Sequence, residues 1–404
     1  MLRIAPRLPR LRIVRVLLRG PIRPAVPILP ARLRRPLGPP LVLLALACIL
    51  QGCGDGRTSR IGACSAPPGT SAFSFDSDGA RLYGFIDEPP GPGPHPAVLL
   101  IHGEGRTDVT HGRGDFPTQR AALRAAGIAG VIWDRRGSGC SAGRFRGLAD
   151  LFLRSDDVLA AAKALAERKD IDADRIGLWA RGRGGWVAPM ALTRSRTLAF
   201  MIVVGGPGLT PGHEAEYLVR KNLELAGVPD DRVHAAAAAT RTAWQAMAEQ
   251  KSYLVFQTAA APLEEQPAFQ SLLQAAPYLF PDPERYTALQ ESGVLDLSTE
   301  AFLPAVRVPV LAIWGSLDSV VDARTSREVY RKAFAAGRNP NLDTRVFERA
   351  GHDLCKARTG SIQEQQSRAR CVPTPGYLDT VVEWLRTRGF APSPAARSTA
   401  GAKQ

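Results

Sequence analysis

The chain has 404 residues and a formal net charge of +14 at pH 7. Ten arginines and no acidic residue fall within residues 1–52, which leaves about +4 for the other 352 residues. Since most of the positive charge belongs to one end and no basic stretch is interleaved with aromatic residues, the composition excludes nucleic-acid binding as the function.

The first 52 residues have the composition of a targeting segment. An arginine-rich stretch is followed by ten apolar residues at 41–50, the order of a secretory signal peptide. A membrane-spanning helix needs roughly 20 apolar residues, so the run is too short to cross a bilayer comfortably. The ending Leu50-Gln51-Gly52-Cys53 resembles the lipobox of bacterial lipoproteins, which implies cleavage before Cys53 and lipidation of its sulfur. The chain is then an exported lipoprotein, anchored to a membrane of the cell envelope on the periplasmic or outer surface. An uncleaved signal anchor is the alternative.

The rest of the chain alternates predicted strands and helices. Residues 53–70 are rich in Gly, Ser, Pro and Thr and predict a flexible tether, and the small polar residues of 391–404 predict a disordered tail. Short apolar runs predict strands, and 3.6-residue spacing predicts helices. The predicted strands are 71–75, 81–86, 97–101, 128–133, 175–179, 199–204, 308–314 and 344–347. The predicted helices are 116–126, 148–168, 185–192, 325–336 and 377–388.

This alternation predicts an α/β fold with a mostly parallel sheet flanked by helices. Residues 71–205 and 306–390 form the predicted core. Residues 206–305 interrupt the pattern with helical sequence, such as the alanine-rich stretch 234–250. They predict a helical cap inserted between two strands.

Four cysteines follow Cys53, and an even number in an exported protein favours disulfides. Cys355 and Cys371 would close a short loop, worth about 3 kcal/mol in the chain-entropy model. Cys64 and Cys140 would form the second pair. Four cysteines allow three pairings, and free buried thiols are the alternative.

Three segments resemble a known family. They are IHGEG at 101–105, WDRRGSGCSAG at 133–143 and IGLWARGRGGW at 176–186. In order, they resemble the His-Gly oxyanion segment, the Asp-Arg-Arg-Gly-x-Gly-x-Ser loop and the nucleophile elbow of α/β-hydrolases. The resemblance covers roughly residues 71–390. It is to bacterial esterases and to dienelactone-hydrolase-like or serine-peptidase-like members with a helical cap.

The elbow departs from the family pattern at its centre. Ala180 and Gly184 fill the two positions where small residues permit the sharp turn. Gly182 fills the position of the nucleophilic serine, and glycine has no side chain that could attack a carbonyl.

Two residues stand at the positions where α/β-hydrolases carry the other two members of the catalytic triad. Asp318 follows a predicted strand at the position of the triad acid, and His352 follows the last strand at the position of the base. Their order after the elbow is the order of this fold, and an imidazole oriented by a carboxylate is a general base. The alternatives are a turn-forming role for Asp318 and a loop histidine at 352.

The resemblance also implies an oxyanion hole formed by the backbone N–H groups of Arg183 and Glu104. The Glu104 carboxylate would disfavour a developing oxyanion, unless Arg181 and Arg183 offset it. Alternatively, all three side chains are solvated loop charges.

A substitute nucleophile and a metal site are the other chemical possibilities in the same region. Cys140 or Ser141 could replace the missing nucleophile, against simpler roles in a disulfide and a turn. Glu104, Asp108, His111 and His102 lie close in sequence, but their spacing matches no metal-site pattern. No metal and no cofactor are predicted.

Three functions therefore compete. The first is ester or acyl hydrolysis without a serine, the second is ligand binding by a non-catalytic hydrolase relative, and the third is a non-hydrolytic reaction with His352 as base. Loss of a nucleophile can lower turnover by about 10⁶, so ordinary ester hydrolysis is predicted to be weak or absent. The predicted partner is a small acyl or ester-like ligand.

Overall fold

The computed structural model describes residues 64, 66–111, 116–264, 267–368 and 370–392. The predicted signal segment, the lipidation site Cys53 and most of the predicted tail lie outside these residues. The described part of the predicted tether is attached to the rest of the protein through Cys64, which forms a disulfide with Cys140.

Eight strands form one sheet in the order β1-β2-β4-β3-β5-β6-β7-β8. Strand β2 pairs antiparallel with both β1 and β4, and all other neighbouring strands pair parallel. The strands are β1 Ser71–Ser77, β2 Ala80–Asp87, β3 His95–Ile101, β4 Ala129–Trp133, β5 Ile171–Arg181, β6 Leu198–Val204, β7 Val310–Gly315 and β8 Leu342–Phe347.

All predicted strands are present. The apolar residues of β3, β4, β6 and β7 are covered on both faces of the sheet, whereas β1 and β8 at its edges are only partly buried. In β3, Val98 and Leu100 pack into one core layer, whereas Leu99 and Ile101 pack into the other. The hairpin between β1 and β2 turns at Asp78 and Gly79, both with positive φ, which matches the right-handed twist of the strands.

Helices cover both faces of the sheet. They are α1 Pro117–Ala125, α2 Leu151–Ala166, α3 Gly184–Leu192, α4 Pro211–Leu225, α5 Asp230–Ala248, α6 Tyr253–Glu264, α7 Pro267–Ala275, α8 Pro283–Ser292, α9 Ala323–Ala336, α10 Ile362–Ser367 and α11 Tyr377–Thr387. Residues of α1 and α11 belong to one core layer, and residues of α2, α3 and α9 belong to the other.

Five helices, α4 to α8, lie between β6 and β7 in the chain. Their buried side chains, including Leu218, Val233 and Trp244, join the same apolar cluster as α2, α3 and α9. The helical segment is therefore packed onto the core layer on that face of the sheet.

Two disulfides are present in the described residues. One joins Cys64 to Cys140, and the other joins Cys355 to Cys371, 16 residues apart. Within the described ranges, no helix is both long enough and apolar enough to cross a membrane.

Candidate functional site

The segments predicted to carry chemistry meet at the carboxyl ends of the parallel strands. Gly103 follows β3, Gly182 follows β5, Asp318 follows β7 and His352 follows β8. Because these strands are parallel neighbours, their carboxyl ends lie along one edge of the sheet, where α/β proteins bind ligands.

A sharp strand-to-helix turn is centred on Gly182. Strand β5 ends at Arg181 and α3 begins at Gly184. The φ of Gly182 is +49°, its N–H donates to the Val204 carbonyl at 2.9 Å, and its carbonyl accepts from the Gly185 N–H at 2.8 Å. A Cβ at Gly184 would lie 3.0 Å from two backbone oxygens, so the turn needs a small residue there.

Asp318 and His352 form a hydrogen-bonded pair. The His352 Nδ1 lies 2.9 Å from Asp318 Oδ2, and the Asp318 side chain is fully buried. Asp318 Oδ1 also accepts the N–H groups of Val320 and Val321, each at 2.9 Å. Asp318 is therefore both a turn-forming residue and the partner that orients the imidazole, so the two interpretations of this residue are compatible.

The imidazole of His352 lies between two glycines. An ideal Cβ at Gly182 would be 2.8 Å from His352 Nε2, and one at Gly205 would be 2.9 Å from Cε1 and Nδ1. Among the described residues, Nε2 has no hydrogen-bond partner. The Nε2 atom of His352 therefore points at the turn residue Gly182.

The charge of His352 is set by its surroundings. Burial disfavours the imidazolium, but the Asp318 carboxylate, its hydrogen bond to Nδ1, and the charges of Asp353 and Glu214 raise the pKa of His352 to about 9. The imidazolium is therefore the prevailing form of His352 at neutral pH.

Arg183, next to Gly182, lies at the centre of a buried charge network. Its Nε donates to Glu214 Oε1 at 2.8 Å, and its Nη1 donates to Glu104 Oε2 at 2.5 Å. The guanidinium also lies over the Tyr278 ring, 4.4 Å from the centroid.

These contacts correct the interpretation of the loop charges. Arg183 is 4% exposed, the Arg181 side chain is 22% exposed and lies over the Phe116 ring, and Glu104 is bonded to Arg183. The alternative in which all three are solvated charges is therefore wrong. Burial would raise the pKa of Glu104, but Arg183 and Arg135 hold the pKa below its ordinary value.

Glu214 and Tyr278 are site residues that sequence reasoning missed. Both come from the helical segment between β6 and β7, and no motif surrounds them. Glu214 is fully buried, and burial raises its pKa although Arg183 opposes this. Its Oε2 has no hydrogen-bond partner among the described residues.

A cavity of about 280 Å³ brings these groups together. Its lining includes Gly103 and Glu104 from the β3 loop, Arg181 and Arg183 from the turn, Glu214, Tyr278, His352 and Asp353. It is small and is lined by both charged and apolar side chains, Val320 and Ile362 among the latter, so it suits a small ligand with a few hydrogen-bonding groups.

The substitute-nucleophile hypothesis is wrong for Cys140, because its sulfur is bonded to Cys64. Ser141 is buried, donates to the Asp134 carbonyl at 2.6 Å and accepts the Tyr83 N–H at 2.9 Å, so its hydroxyl joins the loop after β4 to strand β2.

The histidines considered for a metal site have other contacts. His102 Nε2 lies 3.1 Å from the Trp133 carbonyl, and His111 Nδ1 lies 2.5 Å from Asp108 Oδ1. No group of three His, Cys, Asp or Glu side chains in the described ranges could hold a metal ion.

The sheet, the strand–turn–helix at Gly182 and the Asp318–His352 pair together define the α/β-hydrolase class. Residues 93–357 match the family model for serine aminopeptidase, S33, over more than half of the chain. The chain therefore belongs to this α/β-hydrolase family, and the predicted fold is confirmed.

Particular proteins are similar to parts of this chain. Dipeptidyl peptidase 8 of Homo sapiens is 32% identical over 146 residues, which are 33% of this chain and 16% of that protein. The chain thus spans less than a fifth of the length of this relative. The solved structure of DcsB in complex with its substrate analogue is 15% identical with a TM-score of 0.50, covering 79% of this chain and 98% of DcsB. The esterase Pf2001 of Pyrococcus furiosus is 16% identical with a TM-score of 0.49, covering 79% of this chain and 90% of the esterase.

Proposed function

We propose that this protein binds a small acyl or ester-like ligand in the cavity beside Gly182, and that it hydrolyses the ligand weakly or not at all. In this proposal Gly182 occupies the position at which hydrolases of this fold carry the nucleophilic serine. The observation that carries the proposal is the 2.8 Å between an ideal Cβ at Gly182 and His352 Nε2. A serine hydroxyl on that Cβ would reach the imidazole, and glycine supplies none.

The ligand class follows from the family and the polar groups at the turn. The family is named for a peptidase activity, which is cleavage of an acyl–nitrogen bond. The backbone N–H groups of Arg183 and Glu104 are the proposed donors to the ligand carbonyl, at the start of α3 and after β3. Both residues line the cavity.

The charge state of His352 favours binding over base chemistry. With a pKa of about 9, the imidazolium prevails at pH 7 and donates a hydrogen bond from Nε2 instead of accepting a proton. A reaction with His352 as base is the alternative, and it would require a rate that rises toward pH 9.

The decisive experiment is to restore the hydroxyl. Gly182→Ser should gain hydrolysis of p-nitrophenyl acetate and labelling by a fluorophosphonate at pH 9.5, where the His352 imidazole can accept a proton, whereas the wild type should show neither above background. The His352 ring must shift by a few tenths of an ångström to admit the new Cβ, which the end of a side chain can do.

Gly182→Ala is the matched control, since it introduces the same Cβ without the hydroxyl. Gly182→Ser combined with His352→Ala should lose the gain. Robust fluorophosphonate labelling of the wild type, or a folded Gly182→Ser protein no more active than Gly182→Ala, would contradict the proposal.

We also propose that the protein is an exported lipoprotein that is anchored to the cell envelope through Cys53. The support comes from the sequence of residues 1–53, and two disulfides are consistent with an oxidising compartment. Mass spectrometry of the mature amino terminus should detect a diacylglycerol-modified Cys53. Cys53→Ala should abolish the modification and move the protein out of the membrane fraction, and an unmodified amino terminus in the wild type would contradict the anchor.

A further inference from the structure

A second cavity, of about 640 Å³, adjoins the loop that carries His352. Residues on both sides of that loop line it, namely Arg349 before His352 and residues 356–358 after it. It shares no lining residue with the cavity beside Gly182. Helix α10 contributes to both cavities, with Glu364 in the second and Gln365 in the first, and therefore separates them.

Three exposed cations line the second cavity. The side chains of Arg349, Lys356 and Arg358 form no ion pair or hydrogen bond with any residue that the structure describes. Arg349 and Arg358 instead use their backbone groups: their N–H groups donate to Ser316 Oγ and to Glu364, and the Arg349 carbonyl accepts from the Ala357 N–H.

Two carboxylates line the same cavity, and one is already engaged. Glu364 accepts the N–H groups of Arg358, Thr359 and Gly360 and pairs with Arg368. Glu348 remains as an exposed acid without a partner among the described residues. The cavity therefore has an excess of positive charge.

A buried hydroxyl in the lining also lacks a partner. Thr374 is 7% exposed, and its Oγ1 has no hydrogen-bond partner within the described ranges. Most buried polar groups in proteins are hydrogen-bonded. A ligand with an acceptor atom would satisfy this hydroxyl.

Apolar groups complete the cavity, because Phe347, Ala357 and Pro375 contribute to its walls. Its volume falls within the range of about 300–1,000 Å³ for sites that bind small molecules. The combination suits a ligand with one apolar part and one anionic part, since guanidinium groups bind carboxylates and phosphates through paired hydrogen bonds.

We propose that this cavity binds a small amphiphilic anion, an apolar group that carries a carboxylate or a phosphate. Arg349, Arg358 and Lys356 bind the anionic group, Thr374 Oγ1 donates a hydrogen bond to it, and Phe347 contacts the apolar part. The site is independent of Gly182 and of the function proposed above.

The probes for the test are octanoate and octyl phosphate, with 1-octanol and acetate as the uncharged and the non-apolar controls. Isothermal titration calorimetry on the wild-type protein should show saturable binding of octanoate, octyl phosphate or both. Binding of 1-octanol and of acetate should be at least tenfold weaker. The two anionic probes distinguish a carboxylate site from a phosphate site.

Variants locate the ligand. R349Q combined with R358Q should weaken binding of the preferred anion at least tenfold, and Thr374→Val should weaken it several-fold. Arg324→Gln, an exposed arginine in a different cavity, and Tyr278→Phe, in the cavity beside Gly182, should leave binding unchanged.

Absence of saturable anion binding, equal affinity for octanoate and 1-octanol, or unchanged affinity in the double arginine variant would overturn the proposal. A loss of binding in Tyr278→Phe would place the ligand in the other cavity, which also overturns it. Melting temperatures of all variants should be recorded to show that each is folded.

Discussion

At the scale of single residues, the imidazole of His352 occupies the volume that a side chain at Gly182 would need. A Cβ at Gly182 would approach His352 Nε2 to 2.8 Å, which is closer than real Cβ atoms come to their neighbours. The ring therefore occupies part of the volume that a side chain at 182 would take. The absence of a side chain at 182 and the position of the imidazole are thus linked, and a substitution at Gly182 must move the His352 ring.

The raised pKa of His352 predicts a pH-dependent contribution to stability. The value rises from the ordinary 6.5 to about 9 on folding, so the folded state binds the proton more tightly than the unfolded chain does. The contribution is fully present below about pH 6.5 and is lost as the pH rises through about 9. Its upper size is about 3.5 kcal/mol, from about 1.4 kcal/mol per pKa unit.

The measurement is the free energy of unfolding by urea for the wild type and for His352→Gln at pH 6, 7.5 and 9.5. The difference between the two proteins should shrink as the pH rises. A difference that stays constant across this range would mean that folding does not change the pKa of His352.

The residue scale also shows the limits of sequence patterns. The resemblance to α/β-hydrolases predicts Asp318 and His352, since each follows a strand in the order of that family, and the structure joins them at 2.9 Å. Glu214 could not be predicted, because only packing of α4 against the turn brings its carboxylate to Arg183. A buried ion pair of this kind has no local sequence pattern.

At the scale of elements, the loop that carries His352 is held by its own cross-links. Cys355 is joined to Cys371, and short bridges pair Ala350 with Lys356 and Cys355 with Pro373. Helix α10 lies within the closed segment, which lacks long regular structure of its own. The disulfide therefore holds the His352 loop in place.

We expect Cys355→Ser combined with Cys371→Ser to lower the free energy of unfolding by about 3 kcal/mol, the chain-entropy value for a loop of this length. In the Gly182→Ser background, the same change should reduce ester hydrolysis because the orientation of His352 is less well fixed. Chemical denaturation and initial rates measure the two effects. Unchanged hydrolysis in the folded variant would show that Asp318 alone orients the ring.

Element boundaries differ from the sequence predictions where polar residues extend a strand. Strand β5 begins at Ile171 and not at 175, because His95 pairs with Ile171 across an irregularity in the register. Asp172 and Asp174 conceal this part of the strand in the sequence. The predicted helix at 148–168 begins as a 3-10 turn, Gly147–Asp150, before α2.

At the scale of the whole molecule, the Cys64–Cys140 disulfide ties the segment before β1 to the loop after β4, across 76 residues of sequence. Cys64→Ser combined with Cys140→Ser should lower the free energy of unfolding by about 4 kcal/mol, more than the loss at the shorter loop, because a longer loop has more chain entropy in the unfolded state. Urea denaturation of the two double variants compares them. An equal or smaller effect at Cys64–Cys140 would contradict the loop-length argument.

The sequence by itself determined the fold class and the order of strands and helices, since apolar runs and their spacing are local properties of the chain. Through its resemblance to α/β-hydrolases, the sequence also predicted the turn at Gly182 and the pair Asp318–His352, each directly after a strand. Only the tertiary structure decided what surrounds them. The charge of His352, the burial of Arg183 between Glu104 and Glu214, and both cavities depend on contacts between segments far apart in sequence, and electrostatic energies depend on those distances and on exclusion of water.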